Sequence, residues 1–95
     1  MEKKEAYREK MEAQLKEWDA KIDQLKAKAQ QAKADTKIEY QEELEALRAK
    51  KESMSQKLQE LKSSGDEAWQ DIRAGVEKAA AELKSAFEGA LSKFK

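Results

Sequence analysis

Large hydrophobic residues recur every three or four positions between Met11 and Leu61, a stretch that contains neither Gly nor Pro. In its first half the steps are four, three, four and three residues, which is the heptad rhythm of a helix with one apolar face. The residues at these positions are Met11, Leu15, Trp18, Ile22 and Leu25, and Ala29 follows after a further step of four. Such a helix needs a neighbour, because its apolar face is stabilised by packing rather than by helix propensity.

The same rhythm returns in the second half of this stretch. Its apolar positions are Tyr40, Leu44, Leu47, Met54, Leu58 and Leu61. Lys51 is the one polar residue that falls on this face. It is either an edge residue whose ammonium group reaches solvent or a polar position that sets the register, and we favour the first interpretation.

The two halves are out of phase, because Leu25 and Tyr40 are 15 residues apart where two heptads need 14. The segment between them, residues 27–37, is rich in Ala and Gln. It is either a bend or a continuous helix in which a one-residue skip relaxes the supercoil. Ala and Gln are poor turn formers and nothing here supplies a positive φ. We therefore predict one helix over about residues 4–62, roughly 90 Å long at 1.5 Å per residue.

A turn is predicted at residues 63–65, where two Ser precede Gly65. Gly65 is expected to take the left-handed conformation that closes a helix, although a lone Gly inside a longer helix is the alternative. Ser64 followed by Glu67 fits a capping box for a second helix, and Asp66 is an equally good cap. So short a connection favours an antiparallel helical hairpin.

The second helix is predicted over about residues 66–94. Its large apolar residues lie within one arc narrower than half of the helix circumference. They are Trp69, Ile72, Val76, Leu83, Phe87, Leu91 and Phe94. Small residues line one edge of this arc, which suits a helix with two neighbours.

The two predicted helices differ in length, since the second is only about 44 Å long. Folded back, it covers the face from Tyr40 to Leu61 and leaves the face from Met11 to Leu25 in water. Exposing this face loses about 1.5–3 kcal/mol of burial free energy for each large side chain. We therefore expect a homo-oligomer, with an antiparallel dimer favoured and parallel dimers or higher bundles left open. The predicted fold is a single all-α domain over residues 1–95, a helical hairpin in a coiled-coil bundle.

The composition limits the kinds of chemistry that we expect of this chain. Charged residues make up 42% of the 95 positions and aromatic residues 6%, which favours a thin apolar seam over a thick core. The formal net charge is zero, so the basic excess typical of nucleic-acid binding is missing. There is no Cys and no His, the Ser lie outside nucleophile motifs, and the Gly are isolated. We predict no catalytic, cofactor-binding or metal-binding residues, no cofactor and no enzymatic activity.

Several residues could still carry a function. Glu42, Glu43 and Glu45 form a carboxylate cluster, which we interpret as a solvated helix face. Trp18 and Trp69 lie on the apolar faces, so packing is favoured over ligand stacking.

The second helix is amphipathic, but its polar face mixes acids with Lys and should attract anionic lipid poorly. We therefore do not predict membrane binding. With neither a secretory signal nor a transmembrane segment, we expect a cytoplasmic protein.

Four motifs resemble a family of small bacterial coiled-coil stress-response proteins, also found in cyanobacteria. They are LKEWDAKIDQL at 15–25, KIEY at 37–40, GDEAW at 65–69 and GVE at 75–77. The resemblance implies a soluble, helical, non-enzymatic protein with a link to stress, and it brings no catalytic residues. The Ala-, Lys- and Glu-rich stretches are also similar to late-embryogenesis-abundant proteins. The large apolar residues here predict a more stably folded chain than those.

The sequence thus favours a non-enzymatic structural or interaction protein that self-associates. The alternative is an amphipathic membrane-surface or stress-protectant protein that becomes ordered on lipid or on drying. Any protein partner other than a second copy is left open.

Overall fold

The computed structural model describes residues 3–65 and 67–94, and this part of the chain contains helices and no strands. The all-α prediction is confirmed, with three helices in place of two: α1 (Lys3–Gln30), α2 (Ala34–Ser63) and α3 (Trp69–Lys93). α2 packs against both of the others. The chain runs up, down and up, so α1 and α3 are parallel to each other and antiparallel to α2. The bundle measures 51 × 19 × 18 Å.

The prediction of one continuous helix over residues 4–62 is wrong, because the chain reverses at Gln31–Lys33. The Ala32 amide donates to the Ala29 carbonyl at 3.2 Å, which tightens the end of α1. Lys33 then takes an extended conformation with φ −66° and ψ 157°, and its carbonyl accepts from the Lys37 amide at 2.8 Å. The turn needs no positive φ, so it needs neither Gly nor Asn. The change of phase between the two apolar runs marks this turn.

The second connection follows α2, which ends at Ser63. Gly65 does not have the predicted positive φ, because Ser64 reverses the chain in an extended conformation with φ −77° and ψ 152°. The Ser64 hydroxyl donates to the Leu61 carbonyl at 2.7 Å, so it closes α2 and does not form the predicted capping box. Asp66, the alternative cap, lies outside the described residues.

α3 begins at Trp69, three residues later than predicted, and ends at Lys93. A turn precedes it, in which the amides of Ala68 and Trp69 both donate to the Gly65 carbonyl, at 3.2 and 3.3 Å. Because α3 starts later than predicted, Trp69 lies in its first turn, where its ring is buried against Tyr7.

The apolar face from Met11 to Leu25 is covered within the same chain. Met11, Ile22 and Leu25 are buried, and the Trp18 ring lies 5.5 Å from that of Phe87 in α3. The inference that α3 is too short to cover this face fails, because the face belongs to a separate helix that folds back. An oligomer is therefore not needed to bury the core, and self-association stays a prediction.

Ion pairs between helices lie at the edges of the core. Their members are Lys51 with Asp19 and Lys62 with Glu12 between α1 and α2, and Lys50 with Glu82 and Lys93 with Glu43 between α2 and α3. All of these side chains are partly exposed, so each pair contributes about 0–1 kcal/mol. Lys51 reaches the bundle edge, as the favoured interpretation of its position expects. The register of the helices is therefore fixed mainly by the apolar core.

Replacing Ala34 with Pro tests the first turn. Ala34 is the first residue of α2 and follows the extended Lys33, which is where Pro is tolerated best. We expect Ala34→Pro to leave the free energy of unfolding unchanged or to raise it by about 0.4–1 kcal/mol. Ala46→Pro, in the middle of α2, is the matched control and should cost about 3 kcal/mol or more. Urea unfolding followed by circular dichroism measures both, and an equal loss in both variants would contradict the turn.

Truncating the core at Leu47 tests the packing. Leu47 is fully buried between the helices, whereas Ile38 in the same helix is 59% exposed. We expect Leu47→Ala to lower the free energy of unfolding by about 2–5 kcal/mol, because it removes buried contacts and leaves a cavity. Ile38→Ala should change it by about 0.5 kcal/mol or less. Similar losses in the two variants by urea unfolding would show that Leu47 is not in a packed core.

Candidate binding groove

The structure brings nearly all of the predicted seam residues into one bundle core. The buried ones are Met11, Ile22, Leu25, Tyr40, Leu44, Leu47, Met54, Leu58, Leu61, Trp69, Val76, Leu83 and Phe87. Leu15, Trp18, Ile72 and Phe94 are partly buried against that core. Leu91 is the exception, since 40% of it remains exposed.

Leu91 lies in a groove between α1 and α3. Both helices pack closely on α2, but they approach each other less closely. The depression left between their C-terminal halves is the α1–α3 groove. Its apolar floor is formed by Trp18, Leu25, Tyr40, Phe87, Leu91 and Phe94. An apolar groove between two parallel helices has the shape that receives a further helix.

Aromatic rings make up much of this floor. Tyr40 and Phe94 are stacked, with ring centroids 3.8 Å apart and planes inclined by 13°. Trp18 meets Phe87 edge to face at 5.5 Å. These four are most of the chain's six aromatic residues. Because aromatic side chains give large contact area at low entropic cost, this end of the bundle is the better suited of the two to binding.

The rim of the groove is basic. Lys21 and Lys28 in α1 and Lys84 in α3 line it, together with Gln24 and the single acid Glu88. The Lys21 ammonium lies 4.7 Å from the centroid of the Trp18 ring. Within the described residues, none of the three Lys has a carboxylate oxygen within 4.0 Å. The groove therefore offers an apolar floor edged by ammonium groups that have no ion-pair partner among those residues.

A second depression has a different character. It lies between α1 and α2, and its cations are Lys26, Lys37 and Arg48. Its remaining lining is Ala29, Gln30, Gln41 and the buried Leu44, so it offers no exposed large apolar residue.

The opposite end of the bundle is closed by Tyr7. Its hydroxyl donates to the Arg73 carbonyl at 3.4 Å, and the Arg73 guanidinium lies 4.9 Å from the Tyr7 ring centroid. Arg73 is in turn paired with Glu77 at 3.1 Å. Burial raises the pKa of the Tyr7 phenol above its usual value of 10.0, and the Glu77 carboxylate adds to the rise while Arg73 opposes it.

The predicted seam did not include Tyr7, and it placed Ala29, Ala79 and Ala90 only at its margins. Tyr7, Ala29, Ala79 and Ala90 are all buried. Tyr7 precedes Met11 by four residues, so extending the heptad rhythm by one step would have included it. The three Ala also fit the spacing, since Ala29 follows Leu25 by four residues and Ala79 and Ala90 each follow a large apolar residue by three. Spacing alone does not assign them to the core, because a small residue is equally common on a solvated helix face.

The described part of the chain shows no convergence of carboxylates on a metal site. In the described residues, no group of three or more Asp or Glu side chains is arranged to hold an ion. Glu43 is instead paired with Lys93, whereas Glu42 and Glu45 are exposed on the outside of α2.

No family model, curated protein or solved structure matches this chain. Among the described residues, no helix has an apolar stretch long enough to cross a bilayer.

The raised pKa of Tyr7 predicts a loss of stability in alkali. Well below pH 10 the phenol is protonated in both the folded and the unfolded chain. As the pH approaches and passes 10 the unfolded chain loses its proton first, so the free energy of unfolding falls as pH rises through the folded pKa. We expect the stability of the wild type relative to Tyr7→Phe to fall between pH 9 and pH 11, measured by urea unfolding at each pH. Since the two proteins share all of their Lys residues, a constant difference would show that Tyr7 ionises as freely as in the unfolded chain.

Proposed function

We propose that this chain is a cytoplasmic, non-enzymatic structural or interaction protein that self-associates, and that the α1–α3 groove is its binding surface. The observation that carries the proposal is Leu91, a large apolar side chain left 40% exposed beside four aromatic rings. The role in stress that the family resemblance implies belongs to the same proposal.

The rest of the surface supports this choice of site. Apart from Leu91, the other exposed large apolar side chain in the described part of the chain is Ile38, which stands among charged residues. Isolated surface residues of that kind are common and need no explanation alone. The groove differs because its apolar residues adjoin one another and its cations are free to pair with an incoming acid.

The membrane-surface hypothesis is less well supported. It requires the apolar face of α3 to meet lipid, but Val76, Leu83 and Phe87 on that face are buried against the other two helices. Lipid would have to displace packing that already covers these residues. Circular dichroism separates the two hypotheses, because a folded bundle is strongly helical in buffer and gains little helicity from vesicles.

Leu91→Glu tests the groove as the site of self-association. Leu91 is already partly exposed, so we expect little change in the urea unfolding midpoint. An acid placed on the apolar floor should weaken self-association by roughly tenfold or more, because it must be desolvated on binding and it repels an acidic group that the rim cations would bind. Size-exclusion chromatography with light scattering over a concentration series measures the change.

Ala74→Glu is the matched control, since Ala74 is an exposed residue of α3 outside the groove and the change adds the same charge. It should associate as the wild type does. If Leu91→Glu and Ala74→Glu associate equally well, the groove is not the binding surface. If the wild type is monomeric at all concentrations, self-association itself is excluded.

A further inference from the structure

The outer face of α2 carries a pattern that the bundle does not use. We define this face as Asp35, Ile38, Glu42, Glu45, Ala49 and Glu52, which follow one another at steps of three and four residues. All six are exposed. They form one stripe along the helix, on the side away from the buried Tyr40 and Leu44. The stripe is therefore open along its whole length.

This face is acidic and carries one large apolar residue. Four of its six positions are Asp or Glu and none is Lys or Arg. Within the described residues, Asp35, Glu42 and Glu45 have no cation within 4.0 Å. Ile38 stands among them with 59% of its surface exposed.

We propose that the outer face of α2 of one copy docks into the α1–α3 groove of a second copy, so that the chain assembles head to tail. This inference rests on the proposed function and names the occupant of the groove. The docked helix presents Ile38 to the exposed Leu91 and its acids to the ammonium groups on the rim.

The charges on the two surfaces are opposite in sign and equal in spacing. Lys21 and Lys28 are seven residues apart on α1, a rise of about 10.5 Å along the helix. On the outer face of α2, Asp35 and Glu42 have the same separation, as do Glu45 and Glu52. Two acids at the heptad distance can therefore meet two cations at that distance without a change in either helix.

The same charges disfavour the symmetric alternative. A twofold dimer formed groove to groove brings Lys21, Lys28 and Lys84 of one copy against the same residues of the other. Like charges placed opposite each other in an interface weaken it and suppress that pairing. The α1–α2 depression is a poorer receptor for the acidic face, because it offers Ile38 no exposed large apolar residue.

A head-to-tail contact has consequences that a twofold dimer does not. Each copy keeps one free groove and one free acidic face, so assembly continues into chains unless the rotation closes a ring. Because the partners on the rim are exposed charges, association should weaken as salt is raised. Sedimentation velocity should show species that grow with concentration at low salt and dissociate at high salt.

Charge reversal tests which surfaces meet. Glu42→Lys with Glu45→Lys reverses two acids of the outer face, and Lys21→Glu with Lys28→Glu reverses two cations of the rim. We expect each double variant to associate roughly tenfold or more weakly than the wild type in sedimentation velocity. Circular dichroism and urea unfolding establish that each variant folds.

The four changes combined in one chain should restore association, because the reversed face again meets a groove of opposite charge. The control restores the net charge without restoring the contact. It combines Lys21→Glu and Lys28→Glu with Glu9→Lys and Asp23→Lys, at exposed acids of α1 outside the groove lining. We expect this control to associate as weakly as the rim variant alone.

Three outcomes would overturn the inference, and they bear differently on the proposed function. If the rim variant loses association while Glu42→Lys with Glu45→Lys does not, another surface occupies the groove and the proposed function stands. If the combined variant associates no better than its control, the docking is excluded: recovery in both shows an effect of net charge, and recovery in neither shows that the reversed surfaces do not meet. If the wild type does not self-associate at low salt, the inference and the proposed self-association both fail.

Discussion

The fold depends on the reversal at Gln31–Lys33. This short turn places the apolar face of α1 against α2 and α3 of its own chain, so that Met11, Ile22 and Leu25 are buried without a partner. It does so with a single extended residue, Lys33, and a carbonyl that starts the next helix. Without the turn, α1 would extend α2 as a rod and leave half of the apolar face in water.

The turn also determines where a binding surface can exist. With three helices in up–down–up order, α2 contacts both neighbours, while α1 and α3 run parallel and leave a groove between them. Leu91 is exposed for this reason, although its spacing along α3 is that of a core residue. The outward side of α2 is left free by the same arrangement. The basic groove and the acidic face thus arise on different sides of one small bundle, and this separation makes head-to-tail assembly geometrically possible.

The helical content and the core positions could be predicted from the sequence, because both follow from local periodicity. The turn could not, since its backbone is ordinary: Ala, Gln and Lys adopt extended φ and ψ as readily as other residues. The phase change between Leu25 and Tyr40 was the available signal, and a skip within a helix gives the same signal. The groove depends on how closely α1 and α3 approach, which is a tertiary property that the exposed Leu91 reveals only in the structure.

The distance between residues 12 and 62 within one chain tests the turn most directly. Glu12 and Lys62 form an ion pair at 3.5 Å across α1 and α2, and the chain has no Cys to interfere with labelling. Spin labels at Glu12→Cys and Lys62→Cys, diluted with excess unlabelled protein, report only distances within one molecule in a double electron–electron resonance experiment. We predict a distance on the order of 15–25 Å, since the axes of packed helices are about 8–10 Å apart and each label adds its tether. A continuous helix would separate the two positions by about 75 Å, because it rises about 1.5 Å per residue. A measured distance near that value would contradict the account.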